Sequence, residues 1–183
     1  MIYNNVDDIF TMNEDVRRRL VARVESLGDA EQGARASDDG WSVAGVVEHL
    51  SLTERRVTKA LDGMLPKSGS ATEADEDTSA PRNFTPFSLD AYVEQARDKK
   101  FEAPEFIRPR GVSFTDALAH LKESRAALEA LRPRFERADY SAQFPHPAFG
   151  MLNLGQWLAF IGIHEERHLA QIERTLEAMK SER

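Results

Sequence analysis

The chain has 183 residues, 41% hydrophobic and 30% charged, a balance that suits one soluble domain with a sizeable core. Its net charge of −7 sets an average field that repels a phosphate backbone and argues against a nucleic-acid partner. It contains no cysteine, so disulfides, thiolate ligands and a cysteine nucleophile are excluded.

No apolar run approaches the roughly 20 residues that span a bilayer. The opening Met1-Ile2-Tyr3-Asn4-Asn5 has neither the basic start nor the apolar stretch of a signal peptide. A cytoplasmic protein with no membrane contact is expected.

The pattern is helical nearly throughout. A first helix is expected from about Asp7 to Leu27, with Val6, Phe10, Val16, Leu20, Val24 and Leu27 as its apolar stripe and Gly28 as its stop. Arg17-Arg18-Arg19 alternates with acidic neighbours there and reads as a solvated helix face. After a polar connection from Asp29 to Gly40, Ser42 is a good N-cap for a second helix, with Trp41 stapling onto Val46. Val43, Val46, Val47, Leu50, Val57, Leu61 and Leu65 give its buried side, and Pro66 its end.

Lys67 to Ala80 is rich in Ser, Thr, Asp and Glu and reads as a mobile surface loop. The whole stretch from Pro66 to Val112 is too long to be an empty connection. Ser88 is expected to cap a short helix reaching about Lys99, and Phe101, Pro104, Phe106, Ile107 and Pro109 an extended segment laid against the bundle. A third helix starts at the capping box Ser113-Phe114-Thr115-Asp116 and is kinked or stopped near Pro133. Phe144 to Gly150 is a Pro- and Gly-punctuated loop of high aromatic content. The fourth helix opens with Asn153 as cap and Gln156 completing the box, and runs to about Lys180. Four amphipathic helices without strand-like alternation, repeat or domain break predict an all-α four-helix bundle over residues 1–183, with a long connection between helices 2 and 3.

In the fourth helix His164 and His168 are four residues apart. An α-helix turns once in about 3.6 residues, so both imidazoles leave the same face. The apolar spacing of Leu154, Trp157, Leu158, Ile161, Leu169, Ile172, Leu176 and Met179 places that face on or beside the inward stripe. Paired neutral imidazoles are the commonest half of a protein metal site. Of the other histidines, His120 falls off its helix stripe and His146 lies between two prolines. His49 borders the stripe of the second helix and is the best third ligand on geometry, because bundle metal sites are built from facing helices. A core with ordinary hydrogen-bonded histidines is the competing reading.

The run Gly40-Trp41-Ser42-Val43 with Val47-Glu48-His49-Leu50, then His146-Pro147-Ala148-Phe149-Gly150, Gln156-Trp157-Leu158-Ala159-Phe160 and His164-Glu165-Glu166-Arg167-His168-Leu169-Ala170-Gln171-Ile172, resembles the DinB-like superfamily, and within it the DinB_2 branch. The resemblance covers nearly the whole chain in order. It implies a four-helix bundle in which His49, His164 and His168 bind a divalent metal, often nickel or zinc, while His146-Pro147 is a structural or site-lining element. It also implies kinship with S-transferases that use bacillithiol, mycothiol or glutathione, hence a low-molecular-weight thiol cosubstrate and a small-molecule electrophile. Homodimers are frequent among such relatives.

A metal held by neutral imidazoles keeps its full charge and leaves positions open to water or substrate. Trp41, Phe149, Trp157 and Phe160 are candidate walls for the open side, although core packing is the commoner role for such residues. Glu48, Glu54 and Glu165 are candidates for orienting a histidine or acting as a base, against the commoner solvated helix glutamate. No catalytic base is named on the sequence.

Two other readings compete. His164-Glu165-Glu166-Arg167-His168 matches His-Glu-x-x-His, in which the glutamate is the base of a zinc protease, but the Gly and third His of the metzincin extension are absent. A bundle that binds metal or a small ligand without turnover is the other. No Gly-rich phosphate loop and no Gly-x-Ser-x-Gly elbow is present.

Overall fold

The computed structural model describes residues 1–37, 40–66, 81–96, 102–147 and 149–181. The expected loop at Lys67–Ala80 lies outside them. Four long helices make the body: α1 (Val6–Glu25), α3 (Val43–Met64), α5 (Phe114–Glu129) and α7 (Leu154–Ser181). Short elements connect them: α2 (Asp29–Gln32), α4 (Asp90–Ala96), a 3-10 turn (Glu105–Ile107) and α6 (Arg132–Phe135). Strand β1 (Ile2–Tyr3) pairs antiparallel with β2 (Phe87–Ser88), and β3 (Gln143–His146) with β4 (Gly150–Asn153).

The helix starts obey local capping chemistry. Ser42 accepts from the Gly45 N–H at 3.0 Å and Ser113 from the Asp116 N–H at 3.1 Å. Asn153 and Gln156 exchange side-chain-to-backbone bonds of 2.9 Å each way, a complete capping box. One expectation is corrected here. The aromatic stretch at 143–153 is a hairpin rather than a loop, registered through Phe144–Leu152 and Pro145–Met151; each strand is too short to display a period-2 signature. The third long helix stops at Glu129, in line with the stop expected near Pro133, which sits in the first turn of the separate α6, where a missing N–H is tolerated.

Two apolar clusters fill the bundle. One joins Val6, Ile9 and Phe10 of α1 to Leu61 of α3, Leu128 of α5 and Leu154 to Ile161 of α7. The other joins Leu20 and Val24 to Val43 to Leu50, Ala117, Leu121 and Leu169 to Leu176. The order in which each helix visits them gives its direction. α1 and α7 run one way and α3 and α5 the other, with α1 packed on α7, α3 on α5, and α3 on α7. Parallel neighbours such as α3 and α5 need a connection that returns along the bundle, which is why the stretch after Pro66 is so long.

Between the clusters lies a buried polar layer. Arg17 of α1 is ion-paired with Glu54 of α3 (2.6 Å) and with Glu165 of α7. Arg125 of α5 is paired with Glu54 at 2.8 Å and Glu165 at 3.2 Å. Ser124 donates to Glu54, and Arg125 also donates to the Asn13 carbonyl at 2.7 Å. All four charged side chains are buried. The reading of Arg17-Arg18-Arg19 as one solvated face therefore fails at Arg17. Arg18 and Arg19 do bind surface carboxylates, Asp15 and Glu166. The missed signal is spacing, since Asn13, Arg17, Leu20 and Val24 recur at helical intervals on one face.

Candidate metal centre

His49 projects from α3 toward α7, where His164 and His168 stand one turn apart. His49 Nε2 lies 3.4 Å from His164 Nε2, and His168 Nε2 lies 3.2 Å from the same atom. Among the described residues these three are the group of His, Asp and Glu side chains whose donor atoms converge, all within 4.8 Å of one another.

The outer nitrogens fix the tautomers. His49 Nδ1 is 2.8 Å from the Ile107 carbonyl oxygen, which can only accept, so Nδ1 carries the hydrogen. His168 Nδ1 is 2.8 Å from Gln171 Oε1 and donates likewise. Both Nε2 atoms therefore turn lone pairs toward His164, whose own Nε2 has at most one hydrogen to offer. At least one inward lone pair is left facing another nitrogen, and a cation resolves that conflict.

Distances agree. Nitrogens about 2.0–2.1 Å from a tetrahedral ion lie roughly 3.3 Å apart, close to the observed separations. Burial holds the His49 imidazole below its ordinary value and the His164 imidazole well below, and lowers His168 to about 3. All three are neutral at neutral pH, as ligation requires.

The crossover segment braces the site. Glu48, next to His49, accepts from the backbone N–H groups of Arg110 and Gly111 at 2.9 Å and of Val112 at 3.3 Å. Gly111 has φ +83, a left-handed conformation that glycine adopts without penalty. It lets three successive N–H groups converge on one carboxylate. The 3-10 turn that carries the Ile107 carbonyl is thereby pinned over α3.

The candidate carboxylates are all committed elsewhere. Glu48 caps this loop. Burial pushes the Glu54 carboxyl upward, but Arg17 and Arg125 outweigh it and hold the group below its ordinary value. Glu165 points into the polar layer. It is neither a solvated helix glutamate nor a partner of the histidines, so the zinc-protease reading loses its base.

Of the candidate walls, the Trp41 ring lies 4.7 Å from His49 and Phe160 stacks 6.0 Å from His164. Phe149 and Trp157 meet His146 instead, at 5.0 and 4.6 Å, and Phe160 touches it at 4.5 Å. His146 thus packs against Phe160, outside the converging group, and burial depresses its imidazole to about 4. His120, half-buried on α5, is also outside the group. Sequence reasoning missed the Ile107 carbonyl and Gln171. Only Gln171, at i+3 from His168, left a readable trace.

Comparison with known proteins agrees with this architecture. A solved four-helix bundle protein, TT2238, is similar at TM-score 0.59 and 23% identity, over 92% of this chain and 98% of that one. YfiT from Bacillus subtilis, described as a probable metal-dependent hydrolase with an unusual four-helix bundle topology, is similar at TM-score 0.58 and 21% identity, over 96% and 87%. In sequence, the uncharacterized protein YuaE of Bacillus subtilis (strain 168) is 28% identical over 159 residues, 86% of this chain and 90% of that protein. The family model of the DinB superfamily matches residues 12–172, and the chain belongs to that superfamily.

Proposed function

We propose that the protein is a divalent-metal-dependent enzyme in which His49, His164 and His168 hold the ion, zinc or nickel, and which brings a low-molecular-weight thiol to a small electrophile. The observation that carries the reading is the inward convergence of the three Nε2 atoms with their outer nitrogens engaged. A divalent ion there supplies Lewis acidity, lowering the pKa of a bound thiol or water.

The chain's own residues favour the thiol. A free thiol ionises near 8.5, so it needs little help at neutral pH, whereas water as nucleophile gains most from a nearby base. Glu48, Glu54 and Glu165 are each held by other partners. In the transfer the thiol proton goes to solvent. Sulfur then bonds to the electrophilic carbon, and the leaving group departs with the electron pair of its broken bond. Phe160 and Trp41 flank His164 and His49. Small-molecule chemistry in the cytoplasm fits the net charge of −7 and the absence of cysteine.

Hydrolysis is the second reading, favoured by the description of YfiT. Elemental mass spectrometry on wild type beside His49→Ala comes first: near-stoichiometric metal, lost in the variant, is expected. The loaded protein is then given glutathione with chlorodinitrobenzene, and separately nitrophenyl acetate without thiol. Metal-dependent thiol consumption supports the transferase. Ester cleavage without thiol replaces it with the hydrolase. Neither, across a panel of thiols and esters, leaves a metal-binding bundle without turnover, and failure to load zinc or nickel ends the metal reading.

A further inference from the structure

Thr53 lies one turn after His49 on α3, so both side chains face α7. It lines a small cavity with Val57 of the same helix and with Phe160, Ile161 and His164 of α7. The cavity wall thus includes His164, the central histidine of the candidate metal centre. The Thr53 Oγ1 is shielded from solvent and has no hydrogen-bond partner among the described residues.

A buried hydroxyl without a partner is unfavourable, and helical threonines usually relieve this by bonding back to the carbonyl four residues earlier. Thr53 does not. Among the described residues two other buried side-chain oxygens share that condition, on Asn13 and Thr58, but neither residue lines this cavity. Glu54 and Glu165 also line the cavity, but Thr53 bonds to neither carboxylate, and both are engaged by Arg17 and Arg125. Phe160, Ile161 and Val57 are apolar.

We infer that Thr53 is the hydrogen-bond donor for the small anion that fills the open side of the His49, His164 and His168 centre. The inference rests on the metal-binding reading but not on the thiol chemistry. It assigns the ligand class: a small anion whose donor atom reaches the metal and accepts a hydrogen bond from Oγ1. Thiolate, hydroxide and azide meet that description. Thr53 is a binding residue for this ligand and stands outside the group of converging metal-donor atoms.

Cobalt(II)-loaded protein, titrated with azide and followed by the visible absorption of the metal, tests this directly. Thr53→Val keeps the shape of the side chain and removes the hydroxyl. It is expected to weaken azide by about tenfold, the size of a hydrogen bond to a charged group, while cobalt affinity stays within about twofold. Thr53→Ser should restore azide binding.

Equal azide affinity in wild type and Thr53→Val overturns the inference and leaves a structural water as the partner of Oγ1. Cobalt that binds but takes no azide in wild type also overturns it, because the centre then has no open side, although the metal site stands. Failure of wild type to bind cobalt removes both the metal reading and the inference.

Discussion

The His49 imidazole is oriented by Ile107, a residue 58 positions away, whose carbonyl oxygen lies 2.8 Å from Nδ1. That carbonyl belongs to the crossover between α3 and α5, and the crossover is itself held by Glu48. Adjacent residues on one helix thus do complementary jobs: His49 faces the site, and Glu48 anchors the segment that aims it.

This predicts that Glu48→Ala weakens metal binding although Glu48 is not a ligand. Losing the acceptor for the N–H groups of Arg110, Gly111 and Val112 frees the 3-10 turn and with it the Nδ1 partner. Outer partners of ligating histidines are typically worth about 10–100-fold in affinity. Zinc affinity by competition with a chromophoric chelator is the measurement. An unchanged dissociation constant would mean that the turn does not orient His49. Gln171→Leu should show the same direction through His168.

The close approach of α1 and α7 depends on Gly162. A Cβ added there would run into Asn13 Oδ1 and the Met12 sulfur. On an isolated helix Gly→Ala gains about 1 kcal/mol. Here the overlap has to be relieved by moving α1 or breaking the Asn13 bond to the Leu158 carbonyl, 3.0 Å long, and overpacking of that kind costs about 1–3 kcal/mol. Gly162→Ala is therefore expected to lower the urea midpoint. A raised midpoint would show that helix propensity outweighs the contact.

The metal-free protein should lose stability as pH falls, in a defined window. The His146 imidazole is depressed from 6.5 to about 4 by burial. Near pH 6.5 the unfolded chain takes up a proton that the folded chain refuses. Stability contributed by this group is thus complete above that value, declines as pH drops toward about 4, and changes no further below it. The depressed His49, His164 and His168 push the same way. Urea unfolding of chelator-treated protein between pH 7 and 4 measures the slope. His146→Phe, which keeps an aromatic ring against Phe149, Trp157 and Phe160, should reduce it by up to about one proton. An unchanged slope would place the His146 proton outside the transition.

Local chemistry was legible in the chain and long-range pairing was not. Ser42, Ser113 and the Asn153–Gln156 box start helices where expected because a cap is made within three residues of itself. The same holds for His164 and His168, whose shared face follows from helix pitch alone. The parallel packing of α3 on α5 could not be read, because each stripe specifies burial without naming its partner. Nor could the Glu48 cap or the Ile107 carbonyl, which use backbone groups identical in every residue. Arg17 was misread for a different reason. Charge suggested solvent, and only the buried glutamates on two other helices make its place inside the bundle tolerable.

Those glutamates separate two chemistries that share one sequence motif. In a zinc protease, the Glu of His-Glu-x-x-His is the base, and replacing it abolishes activity while the fold survives. Here Glu165 is buried between Arg17 and Arg125. Glu165→Ala strands part of two guanidinium charges inside the core, and breaking a buried pair in this way costs about 3–5 kcal/mol. A sharp fall in the urea midpoint is expected. Glu165→Gln, which keeps a side-chain oxygen for the arginines, should be milder and remain folded. Metal content in Glu165→Gln should match wild type, since no ligand nitrogen is altered. A stable Glu165→Ala protein, or loss of metal from a folded Glu165→Gln, would move Glu165 from the core to the metal and reopen the protease chemistry.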